Sequence, residues 1–120
     1  MTQMTRNELL TYCRNEYNAI SDHPFKRLPD ATAIRHANNR KWFGLVFQVP
    51  AAKLGLPETA NIELLNLKIA PELNSLLQTQ PGFLPAYHMS KEHWLSVQLA
   101  QFKTVNAIAD LIDQSFQATR

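Results

Sequence analysis

The stretch Arg35-His36-Ala37-Asn38-Asn39-Arg40-Lys41-Trp42-Phe43-Gly44-Leu45-Val46-Phe47-Gln48-Val49-Pro50 decides the fold. Ala33 to Ala37 reads as one strand, Asn38-Asn39 is turn-forming, and residues 42–49 are a run of aromatic and β-branched residues broken only by Gly44, Leu45 and Gln48. Two such arms around a short polar turn predict a β-hairpin. Strict alternation along the second arm places Phe43, Leu45, Phe47 and Val49 on one face and Trp42, Gly44, Val46 and Gln48 on the other. An antiparallel sheet with one packed face and one accessible face follows from that pattern.

Around the hairpin the pattern changes to helix. Thr5-Arg6-Asn7-Glu8 has the form of a capping box, in which the Thr5 hydroxyl accepts from the amide at N3 and Glu8 reaches back to the Thr5 amide. Leu9, Cys13 and Tyr17, with Leu10 and Ile20 beside them, form one stripe and predict a helix over 5–18. Pro24 and Pro29 make Asp22 to Asp30 a loop. Downstream of the hairpin, Gly55 and Pro57 mark a connection, and residues 61–68 resume a strand pattern. Pro71 and Glu72 suit the first turn of a short helix with Leu73, Leu76 and Leu77 as its buried stripe, ended by Pro81-Gly82. From His93 to Leu99, Leu95, Val97 and Leu99 alternate with Trp94, Ser96 and Gln98, giving another strand. Thr104 is placed to cap a last helix whose stripe is Ile108, Leu111, Ile112 and Phe116, with Asp110 and Asp113 on its polar side.

The order is helix, three strands, helix, strand, helix, with no repeat or composition break, which predicts one α+β domain over 1–120: an antiparallel β-sheet with helices packed on one face. A chain of 120 residues that is 45% hydrophobic has enough apolar material for one core. Its formal charge of +2 neither demands nor excludes nucleic acid. The single cysteine, Cys13, lies on the apolar stripe and reads as a small buried hydrophobe. It cannot form an intramolecular disulfide, and a cytoplasmic setting fits. No membrane span or signal peptide is expected, because Arg6, Asn7, Glu8 and Arg14 interrupt the early leucines.

Three segments together, residues 35–50, the run Ile62 to Leu77, and Pro81 to Leu99 with its Tyr87-His88-Met89 and His93-Trp94 pairs, strongly resemble the MmcQ/YjbR family. The resemblance runs in the same order over nearly the whole chain. It implies a compact α+β fold similar to the bacterial frataxin-like (CyaY-like) arrangement. It also implies DNA as a partner, since the family is described as DNA-binding under the term "double wing". Iron handling, which a frataxin-like fold brings to mind, is not supported: hard or borderline cations favour clustered carboxylates, and Glu8, Glu16 and Asp22 are sparse and interspersed with Arg6 and Arg14.

Charge is segregated along the chain. Between His23 and Lys41 lie Lys26, Arg27, Arg35, Arg40 and Lys41 against Asp30 alone, a local +4 in a protein of +2. Basic residues at a hairpin tip can neutralise phosphates, and they can equally keep the tip soluble and discourage edge pairing. The ten residues Pro85 to Trp94 gather His88, His93, Tyr87, Trp94, Lys91 and Glu92. The five-residue separation of the two histidines matches no zinc signature, and no nucleophile with an identifiable base lies near. Architecture explains the segment better, with a turn at Met89 to Glu92 feeding the strand and the aromatics covering one end of the core.

The sequence therefore predicts a non-catalytic protein without cofactor or metal, a monomer or weak dimer that binds DNA. Arg35, Arg40 and Lys41 are expected on phosphates, Trp42 and Trp94 in stacking or packing, and Lys91 and His93 in secondary polar contacts. The alternative is a protein-interaction or small-ligand module using the exposed sheet face.

Overall fold

The computed structural model describes residues 3–57, 59–87 and 89–120. Among them the chain forms α1 (Arg6–Tyr17), β1 (Ile20–Asp22), β2 (Thr32–Arg35), β3 (Trp42–Pro50), β4 (Asn61–Lys68), α2 (Pro71–Leu77), β5 (Phe83–Pro85), β6 (Trp94–Gln98) and α3 (Ala109–Ala118). The six strands make one antiparallel sheet in the order β1-β2-β3-β4-β6-β5. All three helices pack on one face of it, as an α+β fold with an antiparallel sheet requires. Two edge strands, β1 and β5, were not expected. Each is three residues long, too short to display a period of two.

The first helix starts as the sequence predicts on one side of its cap only. Thr5 is extended and its Oγ1 accepts from the Glu8 amide at 3.1 Å. Glu8 does not return the bond. Its Oε2 accepts instead from the Val105 amide at 3.0 Å, capping the 3-10 turn Val105–Ile108 that leads into α3. The expected cap at Thr104 is thereby supplied from the other end of the chain, and Thr104's own side chain makes no capping bond. Asn18 ends α1 in the left-handed region at φ 55°, with its N–H on Arg14 O, so Ile20 belongs to the edge strand and not to the helix.

The decisive departure is a β-bulge. Ile34 pairs with Gly44, whereas Arg35 pairs with Trp42, leaving Phe43 as the extra residue. The faces of the hairpin's second arm therefore differ from strict alternation. Phe43 joins Val46 on the helix side, with Ile34, Leu65, Leu67, Leu95 and Val97. Trp42 turns to the opposite face, with Leu45, Phe47, Val49, Ala31, Ala33 and Leu64. The helix-free face is accordingly apolar, and the residues expected to share it, Gly44 and Val46, lie beneath the helices.

The helix-side core is closed by Leu9 and Cys13 of α1, Ile112 of α3, and Tyr17, which stacks on Phe116 at 4.3 Å. Burial pushes the Cys13 thiol up to about 12, as expected of a structural cysteine. In α2 the pattern misleads: Leu76 is 68% exposed, and the buried residue is Asn74, at 1%. Asn74 Nδ2 reaches the carbonyls of Lys91, Glu92 and Trp94 at 3.3, 3.0 and 2.9 Å, and its Oδ1 accepts from Gln78 Nε2 at 2.8 Å. It ties down the turn that delivers the chain into β6, where Trp94 N–H also bonds Ser90 O at 2.9 Å.

Candidate binding site

Turn chemistry sets the hairpin tip. His36 N–H donates to Lys41 O and Arg40 N–H to His36 O, both at 3.0 Å, while Asn39 Oδ1 accepts from Lys41 N–H at 2.9 Å. Arg40 takes φ 64°, a conformation that costs a non-glycine residue energy and here closes the turn. Arg40 and Lys41 are exposed, and among the described residues no ion pair engages either.

Arg35 has a different environment. Its Nε donates to Asp22 Oδ1 at 3.0 Å, its Nη1 donates to Arg40 O at 3.0 Å, and its guanidinium lies 5.5 Å from the Trp42 ring centroid. It braces the hairpin against β1 and holds the indole by a cation–π contact. Trp42 in turn meets Phe25 edge-on at 5.6 Å.

Behind the tip, His36 is 3% exposed, stacked on Phe116 at 4.2 Å, with Nε2 2.8 Å from Thr119 Oγ1. The Thr119 hydroxyl donates to Ser115 O at 2.8 Å, so it accepts from His36 Nε2–H. Burial lowers the imidazole's pKa, and the charges of Lys41 and Arg120 lower it further. Arg120 thus shares the hairpin's end of the molecule.

The second expected group, Lys91, His93 and Trp94, sits at β6. Strands β3 and β6 both run antiparallel to β4, so both begin at the same end of the sheet, and the register Leu45–Asn66–Ser96 aligns them. Two strand spacings of about 4.8 Å separate the starts of β3 and β6, so the hairpin tip and the 91–93 turn project from the same end of the sheet. Lys91 and His93 are exposed; alternation puts Trp94 with Ser96 on the helix-free face that also carries Trp42. His88 lies outside the described residues. Among those that are described, no group of three or more His, Cys, Asp or Glu side chains is arranged to hold a metal ion, and no helix is long and apolar enough to cross a membrane.

One feature of this face was not legible as a site: a cavity of about 350 Å³ lined by Phe25, Leu28, Ala31, Trp42, Leu45, Phe47 and Met89. Its outer wall comes from the loop between β1 and β2, where Phe25 and Leu28 remain 37% and 47% exposed. The available signal was two large apolar residues in an otherwise polar, proline-flanked loop. Its far side is held by a buried network: Ser96 Oγ donates to Asn66 Oδ1 at 2.5 Å, Asn66 Nδ2 to Tyr87 O at 2.9 Å, and Tyr87 N–H to Ser96 Oγ at 3.0 Å. That network fixes the segment bearing Met89 across the sheet, with Tyr87 stacked over Phe47 at 6.2 Å.

With this geometry in view, comparison with known proteins is informative. The YjbR family model matches residues 16–118. The uncharacterized protein YyaQ of Bacillus subtilis is 38% identical over 117 residues, covering 98% of this chain and 99% of that one. A crystal structure of a Pseudomonas syringae protein, structural-genomics target PsR293, is 39% identical and superposes with a TM-score of 0.91, covering 98% of this chain and 100% of its own. Deinococcus radiodurans protein DR2400 matches in fold with a TM-score of 0.70 at 21% identity, over 98% of this chain and 78% of its own. A family match over most of the chain and a near full-length relative agree: the chain belongs to the YjbR family.

Proposed function

We propose that this protein is a non-catalytic nucleic-acid-binding module that contacts DNA phosphates through the basic hairpin and the adjoining 91–93 turn. The observation that carries the reading is strand direction: β3 and β6 begin at the same end of the sheet, so the exposed Arg40 and Lys41 and the exposed Lys91 and His93 project from one end, although the segments are fifty residues apart in sequence. Lys and Arg at such a tip neutralise phosphates and release counterions, giving affinity with little sequence preference. Arg35, already engaged with Asp22 and Trp42, serves in this reading to hold the platform, and Trp42 and Trp94 supply packing or stacking surface beside it. A CyaY-like arrangement, cytoplasmic residence and a monomeric or weakly dimeric state belong to the same proposal.

Fluorescence anisotropy of labelled duplex and single-stranded DNA over a salt series tests it. Three phosphate contacts give a log–log salt slope of about −3 and a loss of about fortyfold in affinity between 50 and 200 mM salt. Arg40→Glu with Lys41→Glu should abolish retention while leaving the melting transition in place. Binding that is absent at low salt, or unchanged in the double variant, refutes the assignment.

A further inference from the structure

The cavity on the helix-free face is lined by apolar and aromatic side chains. The bulge at Phe43 turns Trp42 outward, and the loop from β1 folds over it, held by Ala31 N–H on Leu28 O at 3.0 Å and by His23 Nδ1 within 3.2 Å of Ala31 O. Phe25, Leu28 and Trp42 form the walls, and Leu45 and Phe47 the floor. Ala31 and Ala33 leave that floor low. Met89 closes the far side with an unbranched thioether that adapts to an irregular occupant. Among the described lining residues the indole N–H is the one side-chain donor, and the Met89 thioether is only a weak acceptor. A nucleobase or sugar entering here would give up water without replacement partners, at a cost that disfavours it. A hydrocarbon or aryl tail would not.

The loop that walls the cavity carries charge. Lys26 and Arg27 form the turn between the wall residues Phe25 and Leu28, are exposed, and have no ion pair among the described residues. Of the nearby acids, Asp22 pairs with Arg35 at 3.0 Å, while Asp30 shares Arg6 with Glu63. An apolar cavity walled by a loop whose turn carries two exposed cations complements a molecule with an apolar body and one negative head. Its volume, about 350 Å³, falls at the small end of the roughly 300–1,000 Å³ common for ligand pockets.

We propose that this cavity binds a small amphipathic monoanion, a medium-chain or aryl-alkyl carboxylate, with its tail between Phe25, Leu28, Trp42 and Phe47 and its carboxylate at Lys26 and Arg27. The proposal stands apart from the nucleic-acid reading and does not depend on it. Titration of the full chain with hexanoate, octanoate and decanoate, followed by amide chemical shifts and calorimetry below micelle formation, is the test. Affinity should rise about fourfold per methylene until the tail fills the cavity, with shifts centred on residues 25–31, 42–47 and 89. Octanol should bind several-fold more weakly than octanoate, and Lys26→Glu with Arg27→Glu should erase that difference.

Phe25→Ser with Leu28→Ser, at half-exposed positions where folding should survive, should weaken decanoate at least tenfold. Arg40→Glu with Lys41→Glu should leave decanoate binding within about twofold, which separates this site from the hairpin. No saturable binding, shifts centred elsewhere, or unchanged affinity in a folded Phe25→Ser/Leu28→Ser variant overturns the proposal. Equal affinity for octanol and octanoate overturns its anionic half.

Discussion

The second helix offers a test in which hydrophobic pattern and structure predict opposite results. By pattern, Leu76 belongs to the core and Asn74 to the surface; in the structure Leu76 is 68% exposed and Asn74 is 1% exposed. Asn74→Ala removes the donors to the carbonyls of Lys91, Glu92 and Trp94. The exposed turn lets water replace the bonds at Lys91 and Glu92, whereas Trp94, at the start of β6, is partly buried. One unsatisfied buried acceptor costs about 1–3 kcal/mol, and the lost packing and the Gln78 bond add to it, so a loss of about 2–3 kcal/mol is expected. For a chain of this size that is a fall in Tm of roughly 10 °C. Leu76→Ala should change stability by less than about 0.5 kcal/mol, because little surface is uncovered and alanine is the better helix former. Urea unfolding of both variants, with unchanged m-values to confirm that the unfolded states match, reads the difference. A Leu76→Ala variant less stable than Asn74→Ala would refute the placement of α2 and of the turn it holds.

Three further outcomes follow from particular residues. Gly82 has φ 90°, and a Cβ there would lie 2.8 and 2.9 Å from the Phe102 ring, so Gly82→Ala should cost about 1–3 kcal/mol by urea unfolding. His36 is held neutral, with its pKa below the usual value. The stability this contributes is complete above an unfolded-state pKa of about 6.5 and is lost as pH falls through the lower folded value, so His36→Gln should flatten the decline in stability as the pH drops below about 6.5. Cys13 is buried with its thiol pushed up to about 12; alkylation by iodoacetamide at pH 8 should be negligible in the native protein and rapid in urea, and fast native labelling would place the thiol elsewhere.

Much of the fold could be read because its signals are local. The Thr5 cap, the hairpin turn, β4 and the apolar stripe of α3 each depend on residues within a few positions of one another. What could not be read depends on distant partners. Glu8 has the form of half a capping box, yet its carboxylate caps a turn nearly a hundred residues away. Alternation assigned Trp42 and Phe43 to the wrong faces because the bulge is defined by pairing with β2. The basic residues were visible as a local excess, whereas the placement of Lys91 and His93 at the same end of the sheet is a property of strand order alone. The cavity was hidden for the same reason: Phe25 and Leu28 carry no periodicity, and only the folded loop sets them against Trp42 and Phe47.

The bulge joins fold and site. Strict alternation would have left Phe43 on the helix-free face and withdrawn a large ring from the helix-side core, where it now meets Tyr17, His36 and Phe116 edge-on at 5.6, 5.2 and 5.1 Å. One extra residue lets β3 place an aromatic on each side at the same level: Phe43 into the core, Trp42 outward. The outward ring then has two neighbours of different chemistry, the Arg35 guanidinium on the hairpin side and Phe25 on the cavity side. Trp42 is therefore common to the cationic tip and the apolar cavity, and its position is set by the pairing that completes the core. That explains how a helix-free sheet face can present two kinds of surface side by side. The polar half requires the Asp22–Arg35 pair of an edge strand, the apolar half requires the loop that follows it, and both rest on a backbone irregularity that core packing independently stabilises.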